Sequence, residues 1–295
     1  MTLATSLTGA ALNTVAIPAP RLAGAAAYSL FLRPVQRGRV RTSEQAVHEE
    51  AVVGSLSIGG ENVVTYQWGD GQSPVLLLHG WQSRASRFAA FIPRLEELGY
   101  SPIGFDAPGH GDSGGTSTNI LQYRDIALQL QAQYGPFSSV LAHSFGVLCA
   151  FHALRSGVEA DRLVAVSGVC DFEYLLDGFC GALGVTGRVR QGLRRHLEQR
   201  LFPDEPDFWE RFSADYRPDE VAAEILLIHD ADDAMVPPAQ SDQIAAAYGD
   251  QARLVTTRGL GHRKILTDPG VVDTVFGFLT APRAAGVGSS AVNHA

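Results

Sequence analysis

The order of apolar runs along this 295-residue chain predicts an α/β fold with a mostly parallel sheet, an N-terminal antiparallel hairpin and a helical insertion. Three observations carry that expectation. Short unbroken apolar runs such as PVLLLHG, RLVAVSG and EILLIHD alternate with helix-length amphipathic segments. Strands of that kind are buried on both faces, as in a parallel sheet covered by helices. Two β-rich runs joined by Gly59-Gly60 come before the alternation begins. Between Gly168 and Glu224 the alternation stops for about fifty residues, too long for a plain connection, and a helical cap over the carboxyl end of the sheet is expected there.

Taken in order, residues 1–45 form an N-terminal extension, and Arg21 to Pro34 is an expected amphipathic helix, docked on the protein's own surface in preference to a membrane anchor. EEAVVGSLSI and NVVTYQW make the hairpin, with the glycine pair supplying the positive φ that its turn requires. Asp70-Gly71 reads as a turn. Strands are expected at 74–80, 101–108, 138–144, 162–168, 224–230 and 252–257. Helices are expected over Arg87–Leu98, Asn119–Tyr134, Phe145–Arg155, Ala239–Tyr248 and Val271–Leu279. The core thus comprises 46–168 and 217–281, the cap 169–216, and a frayed tail 282–295.

Bulk properties narrow the function. A net charge of -8 argues against general nucleic-acid binding, which needs a basic footprint. No Lys or Arg precedes Arg21, and Pro18 and Pro20 interrupt the apolar N-terminus, so it does not read as a signal peptide. No apolar run reaches the roughly 20 residues that span a bilayer. Cys149, Cys170 and Cys180 have neither disulfide-framework numbers nor metal-ligand spacing, which fits a reducing, cytoplasmic setting without a metal. Cys149 reads as a small packing residue.

Two serines invite a catalytic reading. GDSGG, around Ser113, spells the nucleophile motif of chymotrypsin-like proteases, but those are antiparallel double barrels whose histidine and aspartate precede the serine. In a Gly-rich loop after a strand, Asp112 and Ser113 are expected to bond locally to backbone. Ser144 stands in A-H-S-F-G, where a strand runs directly into a helix. A serine on so sharp a turn projects above the sheet, provided the residues two before and two after are small; Ala142 and Gly146 meet that demand, although the usual form has Gly at both. Such a hydroxyl needs a base and the base needs an acid. Downstream, EILLIHD followed by ADDAMVP offers Asp230, Asp232 and Asp233 at a strand's carboxyl end, and GLGH places His262 in a loop before the last helix.

The chain from about Val52 to Leu279 resembles the α/β-hydrolase superfamily, and more narrowly bacterial hydrolases of carboxylesterase and lipase-like type, through LLLHGW, FDAPGHGDS, AHSFG, DxxVP and GLGH in that order. The resemblance implies Ser144 as nucleophile, His262 as base and Asp233, from the D-x-x-V-P spacing, as acid, with Asp232 the alternative. It implies an oxyanion hole from the N–H groups of Trp81 and Phe145, and substrate contacts from His79, Gly80, His143 and Trp209. The family often has Gly where this chain has Asp230. No cofactor or metal is implied, and the expected partner is a small-molecule ester. Acyl transfer, thioester or peptide cleavage, carbon–carbon hydrolysis and non-catalytic binding are compatible with the same residues. Within the cap, Arg190 or Arg194 of GRVRQGLRRHLEQR offers a guanidinium for an anionic substrate, if not merely a solvated face. Phe208, Trp209 and Phe212 form a packing stripe or line an acyl pocket.

Overall fold

The computed structural model describes residues 3–203 and 207–282. Two helices open it, α1 (Leu3–Val15) and α2 (Pro20–Phe31), followed by a short α3 (Gln45–Glu49). The hairpin is β1 (Val52–Ile58) and β2 (Glu61–Gln67), closed by Gly59 and Gly60 at φ 59° and 83°. Then come β3 (Pro74–Leu78), α4 (Ile92–Glu97), β4 (Ser101–Phe105), α5 (Ile120–Tyr134), β5 (Phe137–His143), α6 (Phe145–Arg155) and β6 (Ala160–Val166). After β6 follow α7 (Phe172–Leu183), α8 (Gly187–His196) and α9 (Phe208–Arg211). The chain returns through β7 (Glu224–Asp230), α10 (Ala239–Tyr248), β8 (Ala252–Thr257), α11 (Gly261–Lys264) and α12 (Pro269–Thr280).

All eight strands share one sheet in the order β1-β2-β4-β3-β5-β6-β7-β8. The β1–β2 and β2–β4 pairs are antiparallel and the rest are parallel. Alternate residues of β3 serve opposite faces: Leu76 and Leu78 join one apolar cluster with α5 and α6, Val75 and Leu77 the other with α4 and α12. That two-sided burial is the reason the strand reads as a continuous apolar run.

Three local expectations change. The helix expected over Arg87–Leu98 is a 3-10 turn at Ala85–Phe88 followed by α4, because Pro93 is tolerated in a helix's first turn but not in its interior. The N-terminal extension holds two helices rather than one, with Pro20 at the first position of α2 and the helix ended before Pro34. The tail from 283 onward lies outside the described residues.

These N-terminal helices pack on the helices inserted between β6 and β7. A Cβ on Gly24 of α2 would fall 2.7 Å from the Gly192 carbonyl carbon of α8, and one on Gly192 2.9 Å from Gly24 Cα. At Gly9 of α1 a Cβ would fall 1.7 Å from the Leu183 oxygen of α7. Backbones approach this closely only where at least one partner lacks a side chain, and at Gly24–Gly192 both do.

Candidate active site

The carboxyl ends of β3, β5, β7 and β8 meet along one edge of the sheet, and the chemistry-bearing residues stand just beyond them. Ser144, between β5 and α6, has φ 57° and ψ −123°, a strained conformation for a residue with a side chain. It persists because the turn is over-determined: a Cβ on Gly146 would lie 2.2 Å from the Leu78 oxygen, and Ala142 is fully buried against the neighbouring strands. Ser144 Oγ lies 3.0 Å from His262 Nε2, and His262 Nδ1 lies 2.7 Å from Asp233 Oδ2. The other Asp233 oxygen accepts from the N–H groups of Met235 and Val236 at 2.8 and 3.0 Å. His229 Nε2 stands 3.5 Å from Asp233 Oδ2. Burial alone would raise this carboxyl, but the bonds from His229, His262 and the two amides outweigh it and hold the group ionised, well below the usual carboxylate range. An ionised carboxylate only accepts, so Nδ1 of His262 carries the ring proton and donates it, leaving Nε2 bare towards the Ser144 hydroxyl.

The three neighbouring aspartates have separate tasks. Asp232 is not the partner of His262; its Oδ2 accepts from Gly259 N–H at 2.9 Å. Asp230 Oδ2 accepts from the Thr257 hydroxyl at 2.7 Å and from Leu260 N–H at 3.1 Å, and its Oδ1 from Asp232 N–H at 3.0 Å. Both therefore brace the loop that carries His262. This accounts for Asp230, whose charge the sequence left without a role.

Beyond β3, Gly80 and Trp81 face the same serine. A Cβ on Gly80 would lie 2.9 Å from Ser144 Cβ, so only glycine lets the loop approach. The Trp81 ring meets the Phe145 ring edge-on at 5.7 Å. Among the described residues neither the Trp81 nor the Phe145 main-chain N–H has a hydrogen-bond partner; Phe145 opens α6, where an N–H has no acceptor within the helix.

His79 is fully buried beneath this loop and does not reach the cleft. Its Nε2 accepts from Ala107 N–H at 3.0 Å, so Nδ1 is protonated and donates to the Gly80 carbonyl at 2.8 Å. His110 mirrors it, accepting at Nε2 from Gln82 N–H at 3.0 Å. Both are neutral, held down to about 4 and about 3, chiefly by burial. His143 does line the cleft beside Ser144 and Gly80. Its Nε2–H donates to the His262 carbonyl at 2.9 Å, and its buried Nδ1 has no partner. It also fixes the backbone of His262, a role the sequence reading did not give it.

Trp209 is not brought to the site. Its indole N–H donates to Glu198 at 2.9 Å and Arg194 lies over its ring at 4.3 Å. Phe208 and Phe212 are buried packing residues, as the first of the two expectations had it. Arg190 and Arg194 are committed to acidic partners, Arg190 to Asp177 and Glu173, Arg194 to Glu173 and Glu198. Ser113 is buried scaffold: its hydroxyl donates to the Asp106 carbonyl and accepts from Val64 N–H at 2.8 Å. Asp106 in turn accepts from the N–H groups of Ala85 and Asp112 and from the Tyr66 hydroxyl.

Two cavities adjoin this arrangement. A cleft of about 1130 Å³ holds Ser144, His262, His143 and Gly80 on its wall together with residues 36–41, which the sequence reading passed over. An apolar chamber of about 270 Å³ is lined by Phe31, Phe145, Phe172, Leu175 and Phe179. Trp81 belongs to both. Among the described residues no group of three or more His, Cys, Asp or Glu could hold a metal ion, and no helix is long and apolar enough to cross a membrane. Cys149, Cys170 and Cys180 are free and buried.

A mostly parallel sheet with a serine on the β5–α6 turn and an Asp–His pair beyond β7 and β8 defines a class of α/β hydrolases. Residues 75–274 match the model of the Alpha/beta hydrolase family, and the chain belongs to that family. Over 97 residues it is 34% identical to the human serine hydrolase-like protein, covering 31% of this chain and 47% of that one, so less than half of the relative's length is spanned. Among solved structures, an esterase from Pyrococcus furiosus superposes with a TM-score of 0.61 at 18% identity, over 84% of this chain and 96% of that one. Alpha/beta hydrolase domain-containing protein 10 from mouse gives 0.60 at 16% identity, over 78% and 97%. At these identities the structural likeness speaks for the fold.

Proposed function

We propose that this hydrolase is a serine carboxylesterase acting through an acyl-enzyme, with Ser144, His262 and Asp233 as its triad. The observation that carries the reading is the unbroken hydrogen-bonded line from Asp233 through His262 to Ser144. The Ser144 hydroxyl gives its proton to His262 Nε2 as Oγ attacks the ester carbonyl. Asp233, held ionised by its own four donors, stabilises the imidazolium without taking the proton. The oxyanion receives the two unpaired amide N–H groups, Trp81 and Phe145. Collapse of the tetrahedral adduct releases the alcohol, protonated by His262. Water then attacks the acyl-enzyme by the same steps and frees the acid.

The helical insertion over 169–216 acts as a cap, and the apolar chamber that it shares with α2 receives the acyl group. The substrate is a small-molecule ester, not a nucleic acid, and three free, buried thiols favour a cytoplasmic setting.

The test is labelling of the folded protein with a fluorophosphonate probe, followed by peptide mapping. Label on Ser144 that disappears in His262→Ala is the expected result. Label on Ser113 would overturn the assignment, and no label on folded protein would leave a ligand-binding homologue in its place.

A further inference from the structure

Resting on the reading above, we infer that the leaving group carries an anionic group of phosphate type, bound by arginines of the cleft. On a chain of net charge -8, the wall that carries Ser144 also carries Arg37, Arg39, Arg41, Arg84, Arg87 and Arg263, against a single acidic residue, Asp112. Three of the six are neutralised locally. Arg84 pairs with Asp106 and Asp112, Arg87 pairs with Glu44, and Arg41 stands 3.7 Å from Glu44.

The other three keep their charge. Arg37 donates only to the carbonyls of Gly111, Ser113 and Gly115, which fix the guanidinium without cancelling it. The guanidinium groups of Arg39 and Arg263 are on exposed residues and have no ion pair or hydrogen bond among the described residues. Arg84 adds a buried Nε–H without a partner. Solvated surface arginines normally find carboxylates on an acidic protein; several left bare around one nucleophile create a local positive potential that concentrates anions. Guanidinium groups suit phosphate because two N–H groups bond two oxygens in parallel.

The cavities assign the two halves of the substrate. The small apolar chamber keeps the acyl group while water attacks, and the large arginine-lined cleft lets a charged alcohol leave. Phe31 of the chamber and Arg37, Arg39 and Arg41 of the cleft follow one another in the chain, so the same N-terminal segment shapes both sides.

The experiment compares phenyl butyrate with 4-butyryloxyphenyl phosphate, which differ only in the phosphate, and titrates phenyl phosphate into the full-length Ser144→Ala protein by calorimetry. The expected result is a kcat/KM ratio favouring the phosphate ester by about ten-fold or more at low salt, the magnitude of one charge-assisted hydrogen bond. That ratio should collapse at high salt and in the Arg39→Gln/Arg263→Gln variant, and phenyl phosphate binding should weaken in parallel. Using a ratio cancels any general loss of activity in the variant. Equal turnover of the two esters, or no saturable phenyl phosphate binding, overturns the inference while Ser144 labelling leaves the esterase reading standing. Phenyl phosphate bound by an unlabelled, inactive enzyme supports the anion site and fails the esterase reading instead.

Discussion

Asp232 and Asp233 differ by one position, and only one of them touches His262. The D-x-x-V-P spacing singles out Asp233, and Asp233 Oδ2 stands 2.7 Å from His262 Nδ1. Residue types alone did not separate the two, because both follow a strand and both end in a carboxylate. The separation comes from the turn: the amides of Met235 and Val236 fold back on Asp233 and aim its second oxygen at the imidazole. Asp233→Asn should therefore lower kcat by about 10³- to 10⁴-fold, since an amide donating to Nδ1 would fix the wrong tautomer. Asp232→Asn removes only a brace to Gly259 and should cost less than about ten-fold, by the worth of one loop hydrogen bond. Steady-state hydrolysis of a neutral aryl ester by the two variants checks both, and similar losses would contradict the assignment. The roles of Asp230, His79 and His143 were not legible in the same way, because each acts on the backbone of a segment distant in sequence.

At the level of elements, the strands were the most legible part, since two-sided burial writes itself into a sequence as uninterrupted apolar residues. Helix boundaries were less so: Pro93 split an expected helix, and α1 went unseen. Its stretch, LATSLTGAALNTV, has no acidic residue in its first turn and no basic residue in its last, so no charge signal marks its ends. What holds α1 and α2 is contact with α7 and α8, through glycines whose purpose no local pattern reveals. Gly24 is the sharpest case, with Gly192 against it. Gly24→Val should destabilise the protein by about 2 kcal/mol, the usual cost of forcing volume into a closed contact. Because α2 ends in Phe31 on the wall of the apolar chamber, the same change should lower the octanoate-to-acetate activity ratio on p-nitrophenyl esters. Thermal melts and that ratio test the coupling; lost stability with an unaltered ratio would mean the N-terminal helices support the fold without shaping the site.

At the scale of the whole molecule, His79, His110, His143 and His152 among the described residues are buried in neutral form, and this sets how the protein meets acid. His79 is held down to about 4, and His110, His143 and His152 to about 3, in each case mainly by burial. Two of them also spend Nε2 as an acceptor of a backbone N–H, a bond that protonation would abolish. In the unfolded chain the same rings titrate near 6.5. A depressed histidine pKa means that the unfolded state binds more protons in between, so this contribution is complete above about pH 6.5 and is lost as pH falls towards 4. Each histidine contributes a slope of up to about 1.4 kcal/mol per pH unit, and the four together approach about 5 kcal/mol per unit. Asp171 and Glu96, raised by burial, act in the opposite sense. Set against a typical stability of about 5–15 kcal/mol, the slope is enough to unfold the protein around pH 5, before most carboxylates are protonated. Urea unfolding from pH 8 to 5 should show a plateau above pH 7 and then a steep fall carrying several protons. His152 lies on α6 against the Phe212 ring, away from the cleft, and its Nε2 has no partner. His152→Asn should flatten that slope by about one proton while leaving the pH-activity profile near neutrality in place. A stability that stays level between pH 7 and 5 would show instead that these rings take up protons inside the fold.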